Sequence, residues 1–318
     1  MEVDTLDHGI VDALRLDGRV SFSVLADVLG VSDQTVARRY RRMRDAGLRV
    51  AALPDGVRLG YDMWTIRLQT TPDSAGPIAD ALARRPDTTW VTLGSGGTEV
   101  TCVVQNPGTA DRETLLLQKL PRTPRIVSVR AHCLMHHFAG GPVGGEARTI
   151  TLTPEQVRRL RPSGPPPGTP AVLAEEDRPL LAALNRDGRL GYPQLAAETG
   201  WSESTVRRRL EHLRATGAVF FDVEMDPALL GYPARFLLWL TVAPAHLAAV
   251  GQEMARHEEA VFVAATTGET NLLATVICHD MAQLYTYITH RIGPLRGVER
   301  LESVPALRHV KQVAAVHQ

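Results

Sequence analysis

Two segments of this chain concentrate side chains suited to hydrogen-bonding nucleic acid. One is Ser32, Asp33, Gln34 and Thr35 followed by Arg38, Arg39, Arg41 and Arg42; the other is Ser202, Glu203, Ser204 and Thr205 followed by Arg207, Arg208 and Arg209. Short hydroxyl, amide and carboxylate groups pair with base edges, and arginine offers a planar fork of donors to guanine or to phosphate oxygens. On a helix whose N-terminus enters a major groove, Asp33, Gln34, Thr35 and Arg38 in one copy, and Glu203, Ser204, Thr205 and Arg208 in the other, would meet base edges. Arg39, Arg41, Arg42, Arg207 and Arg209 would reach phosphates. An arginine-rich helix can also be a solvated face; two copies in the same turn context favour double-stranded DNA.

The copies extend well beyond those helices. Asp17-Gly18-Arg19 corresponds to Asp187-Gly188-Arg189, Leu25-Ala26 to Leu195-Ala196, Gly30 to Gly200, and Gly47 to Gly217. Repetition on this scale implies a duplicated module. In each copy the spacing predicts a helix, a second helix (Ser21 to Leu29 in the first copy), a tight glycine turn, and a reading helix capped by Ser32 or Ser202 and stopped by Gly47 or Gly217. Each is a helix-turn-helix.

After each copy the period changes. Trp64, Ile66 and Leu68 alternate with Thr65, Arg67 and Gln69, the signature of a strand. Helices are expected over 72–85 and 109–120, and strands over 88–93, 100–105 and 126–138. The second half repeats this with strands 234–242, 260–265, 272–277 and 298–310 and helices 245–257 and 281–291. The order is βαββαβ, the ferredoxin-like split motif. The expected fold class is therefore α+β, with two helix-turn-helix domains (1–50 and 175–220) and two ferredoxin-like α/β sandwich domains (60–139 and 231–318) in tandem. A Gly/Pro-rich linker, 140–174, carries a short helix over 154–160. If flexible it would span roughly 30 to 36 Å, enough for the halves to pack together.

These residues give each half a resemblance to the Lrp/AsnC (feast/famine) family of bacterial and archaeal transcription regulators. The matching residues are Leu6-Asp7, Asp17-Gly18-Arg19, Leu25-Ala26, Gly30, Ser32, Thr35-Val36, Arg38-Arg39, Gly47 and Leu59-Gly60-Tyr61. In the second half they are Asp187-Gly188-Arg189, Leu195-Ala196, Ser202, Ser204-Thr205-Val206, Arg208-Arg209-Leu210, Gly217 and Leu230-Gly231-Tyr232. The resemblance implies sensor domains that dimerise through their sheets, bind an amino acid or similar small effector, and form homo-oligomers. The family's effector loop lies between the second and third strands, as a Gly-Asp-x-Asp-like turn. Here the corresponding stretches are Gly96-Gly97-Thr98-Glu99 and Gly268-Glu269-Thr270-Asn271. The first has lost the leading carboxylate and the second ends in an amide. A carboxylate there would pair an effector's ammonium group, although both stretches also read as plain hairpin turns.

Composition narrows the alternatives. Lysines plus arginines number 35 and acidic residues 35, so any DNA-attracting field must be local. The three cysteines, Cys102, Cys133 and Cys278, are far apart and read as reduced, buried thiols. The start is acidic with no apolar stretch after it, and the most apolar run, near Phe236 to Val250, is broken by Pro244; a cytoplasmic protein with no membrane partner is expected. His132, His136 and His137 invite a metal reading, but no fourth ligand is evident, and satisfied or surface histidines are the plainer reading. Trp64, Trp90 and Trp239 read as core or sheet-interface aromatics, and Trp201 as packing on its helices. No catalytic triad, phosphate loop or cofactor motif is present. The leading reading is a non-enzymatic, sequence-specific regulator with two unequal reading helices. The alternatives are a tetrapyrrole (siroheme-type) decarboxylase-like enzyme, since such enzymes resemble this family, and a sensor or scaffold with degenerate DNA-binding units.

Overall fold

The computed structural model describes residues 3–106, 114–143, 151–162, 164–165 and 169–312. Parts of the expected 109–120 helix and of the linker, including Gly144-Gly145 and Pro166-Pro167, and residues 313–318 of the last domain lie outside the described residues. Along the chain run α1 (Thr5–Leu16), α2 (Phe22–Leu29), α3 (Asp33–Asp45), β1 (Arg49–Pro54), β2 (Asp62–Thr70), α4 (Ala75–Ala83), β3 (Thr88–Gly94) and β4 (Glu99–Asn106). A π-helical turn (Thr114–Lys119) then leads into α5 (Leu120–Arg122) and β5 (Ile126–Ala139). The second half continues with α6 (Pro154–Leu160), α7 (Arg178–Arg186), α8 (Tyr192–Thr199), α9 (Glu203–Ala215), β6 (Val219–Glu224), β7 (Ala234–Val242), α10 (Leu247–Met254), β8 (Ala260–Thr266), β9 (Leu272–Cys278), α11 (Met281–Thr286) and β10 (Val298–Lys311).

The four domains read from the sequence collect into two compact units, each built from both halves. The first unit holds residues 1–59 and 144–230, and the second 60–143 and 231–318.

In the first unit both helical modules form as expected. Ser32 and Ser202 each accept a hydrogen bond from the backbone N–H three residues on, at 3.2 Å, a cap whose loss costs about 1 kcal/mol. Gly30 and Gly200 end the preceding helices at φ 69° and 73°, a left-handed turn that glycine adopts without steric cost. Ile10, Leu14, Leu25, Val36 and Met43 are buried in the first module, and Leu180, Leu184, Leu195, Val206 and Leu213 in the second. The sequence reading did not include β1 and β6. They pair antiparallel, Arg49 opposite Glu224 through Pro54 opposite Val219, and join the two modules. The linker helix α6 is present as expected and packs on the first module. Asp12 Oδ2 accepts from Thr151 N–H and Oγ1, at 3.2 and 2.9 Å, and Gln156 Nε2 donates to the Val28 carbonyl at 2.7 Å.

In the second unit each half has the ferredoxin-like strand order, β3-β4-β2-β5 and β8-β9-β7-β10. The two half-sheets then close on each other as an eight-stranded barrel, which the sequence reading did not specify. Closure rests on the two long strands. Through Cys133, β5 pairs with β2 of its own half; from Leu134 on it pairs with β8 of the other. The β10 strand pairs with β7 through Pro305 and then with β3 from Ala306. Bulges mark both crossings, between Leu134 and His136 and between Ala306 and Arg308, where a sheet must bend. Ile66, Leu68, Val91, Val100 and Cys102 pack under the helices of the first half, and Leu238, Leu240, Leu272, Ala274 and Val276 under those of the second, with Tyr287 joining from the π-helical turn (Tyr287–Ile292) that follows α11. No helix among the described residues is long and apolar enough to cross a membrane.

Candidate DNA interface and sensor turns

The two reading helices present their N-termini in the same way. Asp33 and Gln34 in one copy, and Glu203 and Ser204 in the other, are exposed, and Thr35 and Thr205 are half-buried. Ser32 and Ser202 hydroxyls lie 3.0 and 2.9 Å from the threonine hydroxyls of their own helices. Arg38, Arg41 and Arg208 are exposed.

The arginines expected to reach phosphates divide. Arg39 donates to the fully buried Asp7 carboxylate at 3.2 Å and also pairs with Asp4 at 2.7 Å. Its counterpart Arg209 grips the equally buried Asp177 with two hydrogen bonds of 2.6 and 2.5 Å. Both therefore tie the start of a module's first helix to its reading helix: a buried carboxylate needs a cation, and the reading helix supplies it. Arg42 also pairs with Asp7, and Arg207 lies over the Tyr192 ring with its guanidinium carbon 4.3 Å from the centroid. Arg38, Arg41 and Arg208 remain oriented outward.

The Asp-Gly-Arg motif that recurs in both copies has no role legible from residue type alone; in the structure it forms a reciprocal clasp. Arg19 donates to the carbonyls of Gly188 and Leu190 at 2.5 and 3.0 Å, and Arg189 to those of Gly18 and Val20 at 2.7 and 2.9 Å. Each guanidinium lies over an aromatic ring of the opposite module, Arg19 over Tyr192 and Arg189 over Phe22 and Tyr40. Asp17 pairs with Arg214 and Asp187 with Arg44, again across the modules. Gly18 fits because nothing larger would. A Cβ there would stand 2.7 Å from Phe221 Cβ and 2.8 Å from Val50 Cγ1. Repetition of an arginine outside the reading helix, at the same loop position twice, was the available signal.

The sensor turns of the second unit differ from each other. Glu99 is fully buried and takes both Nε and Nη2 of Arg67 at 2.8 Å, with Gln69 Nε2 at 2.8 Å and Ser95 Oγ at 3.2 Å. Its carboxylate is thus used within the fold. Asn271 acts as a piece of strand: its side chain accepts from Val242 N–H at 2.8 Å and donates to the Val242 carbonyl at 2.7 Å. Gly96, Gly268 and Glu269 are exposed, Gly97, Thr98 and Thr270 half-buried. The Thr270 carbonyl accepts from Thr266 Oγ1. Glu269 is the carboxylate that the two turns leave facing outward.

Comparison with known proteins decides the lineage. The profile of the AsnC-type helix-turn-helix domain matches residues 3–44 and again 175–214, and that of the Lrp/AsnC ligand binding domain matches residues 235–316. The chain belongs to the Lrp/AsnC family. Among its relatives, the HTH-type transcriptional regulator FL11 of Pyrococcus abyssi is 27% identical over 141 residues, covering 44% of this chain and 93% of its own length. The HTH-type transcriptional regulator Ptr1 of Methanocaldococcus jannaschii is 28% identical over 141 residues, covering 44% and 95%. Such a relative is about one module long, and this Lrp/AsnC chain carries two. Among solved structures, the siroheme decarboxylase NirDL covers 98% of this chain and 93% of its own, with a TM-score of 0.63 at 16% identity. At that identity the likeness is one of fold.

The remaining candidates of this Lrp/AsnC chain pack as ordinary side chains. His136 meets Phe138 edge-on at 4.7 Å between centroids, buried His137 meets Phe262 at 5.5 Å, and His132 lies 6.3 Å from Trp239. Burial pushes the His137 imidazole below its ordinary range. Cys102 and Cys278 are buried, and burial raises their thiols to about 12 and about 11; Cys133 is half-buried rather than buried. Trp239 is 1% exposed between the half-sheets, and Trp201 packs on the second module as expected. Trp90 departs from expectation: it sits at a bulge with φ 53° and is 36% exposed.

Proposed function

We propose that this chain is a sequence-specific transcription regulator acting in the cytoplasm, without enzymatic activity, in which one chain supplies both reading helices for one operator. The observation that supports this most directly is the clasped pair of capped helices with outward Arg38 and Arg208. In relatives of one-module length, two reading helices require two chains; here Arg19, Arg189 and the β1–β6 ladder hold them within one. The helices are unequal. Where α3 has Ala37, Arg41 and Arg42, α9 has Arg207, Glu211 and His212. Because Arg42 pairs with Asp7 and Arg207 lies over Tyr192, outward Arg41 against Glu211 is the difference that gives the first module the stronger attraction to the phosphate backbone. The operator should therefore contain two related but unequal half-sites, separated by about 10 base pairs or a multiple of that.

Footprinting and titration of the protein against its own upstream region and scrambled DNA, at two salt concentrations, test this reading. The expected result is a site bound roughly 10³-fold or more above background, with one chain per pair of half-sites and steep salt dependence. Equal affinity for scrambled DNA would defeat it, as would a requirement for two chains.

The family's ligand-binding domain supports modulation by a small effector such as an amino acid. The turn at Gly268-Glu269-Thr270 suits that role better than its counterpart, because Glu269 faces outward while Glu99 is consumed by Arg67. Glu269→Ala is expected to leave operator binding in the absence of effector unchanged. It should weaken the effector-induced change in that binding about 10-fold for any ligand bearing an ammonium group, given ~1.5–3 kcal/mol for a charge-assisted contact. A panel of amino acids titrated calorimetrically into wild type and variant measures it. An unaltered response would place the effector elsewhere.

The likeness to NirDL in fold across nearly the whole chain favours one competing reading, a tetrapyrrole-handling enzyme. Titration with an iron porphyrinoid discriminates: the regulator reading expects no Soret-type band shift at stoichiometric protein.

A further inference from the structure

The barrel unit contains two copies of one fold, yet their facing surfaces carry different chemistry at matched positions. The strands β2 and β7 are each nine residues long, and Arg67 in one stands where Trp239 stands in the other. The strands β5 and β10 are each 14 residues long, and Arg130 stands where Glu302 stands. Matching the turns puts Glu99 where Asn271 stands, each just before or at the start of the third strand of its half. Each pair is adjacent in its own sheet: Arg67 is registered against Arg130, and Trp239 against Glu302.

Across the barrel these differences interlock. Arg67 is 7% exposed and holds Glu99 of its own half with one edge of its guanidinium. With Nη1 it donates to Glu302 of the other half at 2.8 Å, and Nη2 pairs with Glu302 as well. Its guanidinium carbon lies 5.3 Å from the centroid of the Trp239 ring. The contact is thus cation to carboxylate and cation to aromatic face, both between unlike halves. A second crossing is also asymmetric. His309 lies 3.0 Å from Thr92 Oγ1 of the first half and 2.9 Å from Arg235 Nη1 of the second. Its counterpart His137 packs against Phe262, with Ala264 registered opposite.

We infer that the two halves of the barrel select each other and reject copies of themselves, through Arg67, Glu99, Trp239 and Glu302. Pairing the first half with a second first half would bring Arg67 against the residue that replaces Glu302, which is Arg130. Arg67, already registered against its own Arg130, would then meet a second Arg130, with Glu99 as the carboxylate left to serve them. Pairing the second half with itself would set Trp239 against Glu302 with no cation between them. Both like pairs are electrostatically disfavoured, and the unlike pair gives the Arg67 guanidinium two carboxylates and an aromatic face; the device works through repulsion as much as attraction. The consequence is insulation. The barrel face of either half does not accept the matching face of another copy of that half.

Two substitutions recreate the like pairs inside the full-length chain. Glu302→Arg gives the second half the residue of the first, and Arg67→Trp gives the first half the residue of the second. The first should lower the melting temperature by roughly 5–10 °C, with no recovery on acidification. The second should lower it by about 10 °C at neutral pH. It should regain stability as the pH falls, because in this variant the Glu99 and Glu302 carboxylates share the site without the guanidinium that now pairs with both. Wild type should do the opposite and lose stability on acidification, since pairing with Arg67 holds the Glu302 carboxyl below its ordinary range. Arg67→Met, unbranched like the arginine stem but shorter and uncharged, guards against a packing fault from tryptophan and should show the same acid recovery. If Glu302→Arg melts with wild type, or if Arg67→Met shows no acid recovery, charge selection is overturned.

Discussion

Replacing Arg38 and Arg208 together with alanine should abolish operator recognition while leaving the protein folded. Both side chains are exposed on the outer face of their reading helices, so their removal uncovers no buried group and should change stability by less than about 0.5 kcal/mol. Each arginine–base contact is worth about 1–3 kcal/mol of discrimination. The double variant should then bind its operator roughly 30-fold to 10⁴-fold more weakly, with non-specific affinity reduced far less. The single variants should be unequal. In α9, Glu211 stands where α3 has the outward Arg41, and Arg207, which α3 lacks, lies over Tyr192. The second module thus has less backbone attraction to fall back on, and Arg208→Ala should be the more damaging. Gel-shift titrations at matched salt measure all three proteins. A double variant that still prefers its operator would remove these helices from base reading.

Arg39→Ala and Arg209→Ala mark the boundary of what the sequence could reveal. By type and position they belonged with the phosphate-contacting arginines. What diverts them is a carboxylate on another helix, Asp7 or Asp177, buried at 0% exposure. Helical period predicts which face a side chain occupies, but not that an acid from the first helix will be waiting beneath that face. The same limit applies in the sheet. Alternation identified β2 correctly, and in an open sheet its Thr65–Arg67–Gln69 face would meet water. Here Thr65 and Arg67 are buried, because the other half-sheet covers them. Strand order within each half was legible because it depends on local spacing. Barrel closure and the β1–β6 ladder were not, because both depend on pairing between segments distant in the chain. The short apolar runs Val50-Ala51-Ala52-Leu53 and Val219-Phe220-Phe221 carry no partner address of their own. Glu99 illustrates the consequence for function: a turn carboxylate that suits an effector's ammonium group suits a neighbouring arginine equally well, and Arg67 was nearer.

The clasp leads to the second large expected effect. Arg19 and Arg189 each donate to two backbone carbonyls of the opposite module and cover an aromatic ring there. Truncating both to alanine strands four carbonyls at a close-packed joint, where Gly18 and Gly188 leave no room for compensating movement. Unmet acceptors of this kind cost about 1–3 kcal/mol each where water cannot reach them. The two losses share one joint and will not simply add, so the pair should destabilise the helical unit by roughly 3–5 kcal/mol. The larger consequence concerns DNA. With the clasp intact, the distance and phase between reading helices are fixed, and moving the half-sites apart by about 5 base pairs, half a helical turn, should cost the wild type most of its specific affinity. In the double variant the β1–β6 ladder and the Asp17–Arg214 and Asp187–Arg44 ion pairs still join the modules, but without the two clasping guanidinium groups that spacing penalty should shrink by about 10-fold or more. Lysine at both positions keeps the charge but has neither a fork for two carbonyls nor a plane to lie on a ring. It should therefore behave like alanine. Binding of wild type, alanine and lysine proteins to a spacing series resolves the matter: a spacing preference that survives both substitutions would mean that the ladder and the Asp17 and Asp187 ion pairs set the geometry, and that Arg19 and Arg189 serve stability only.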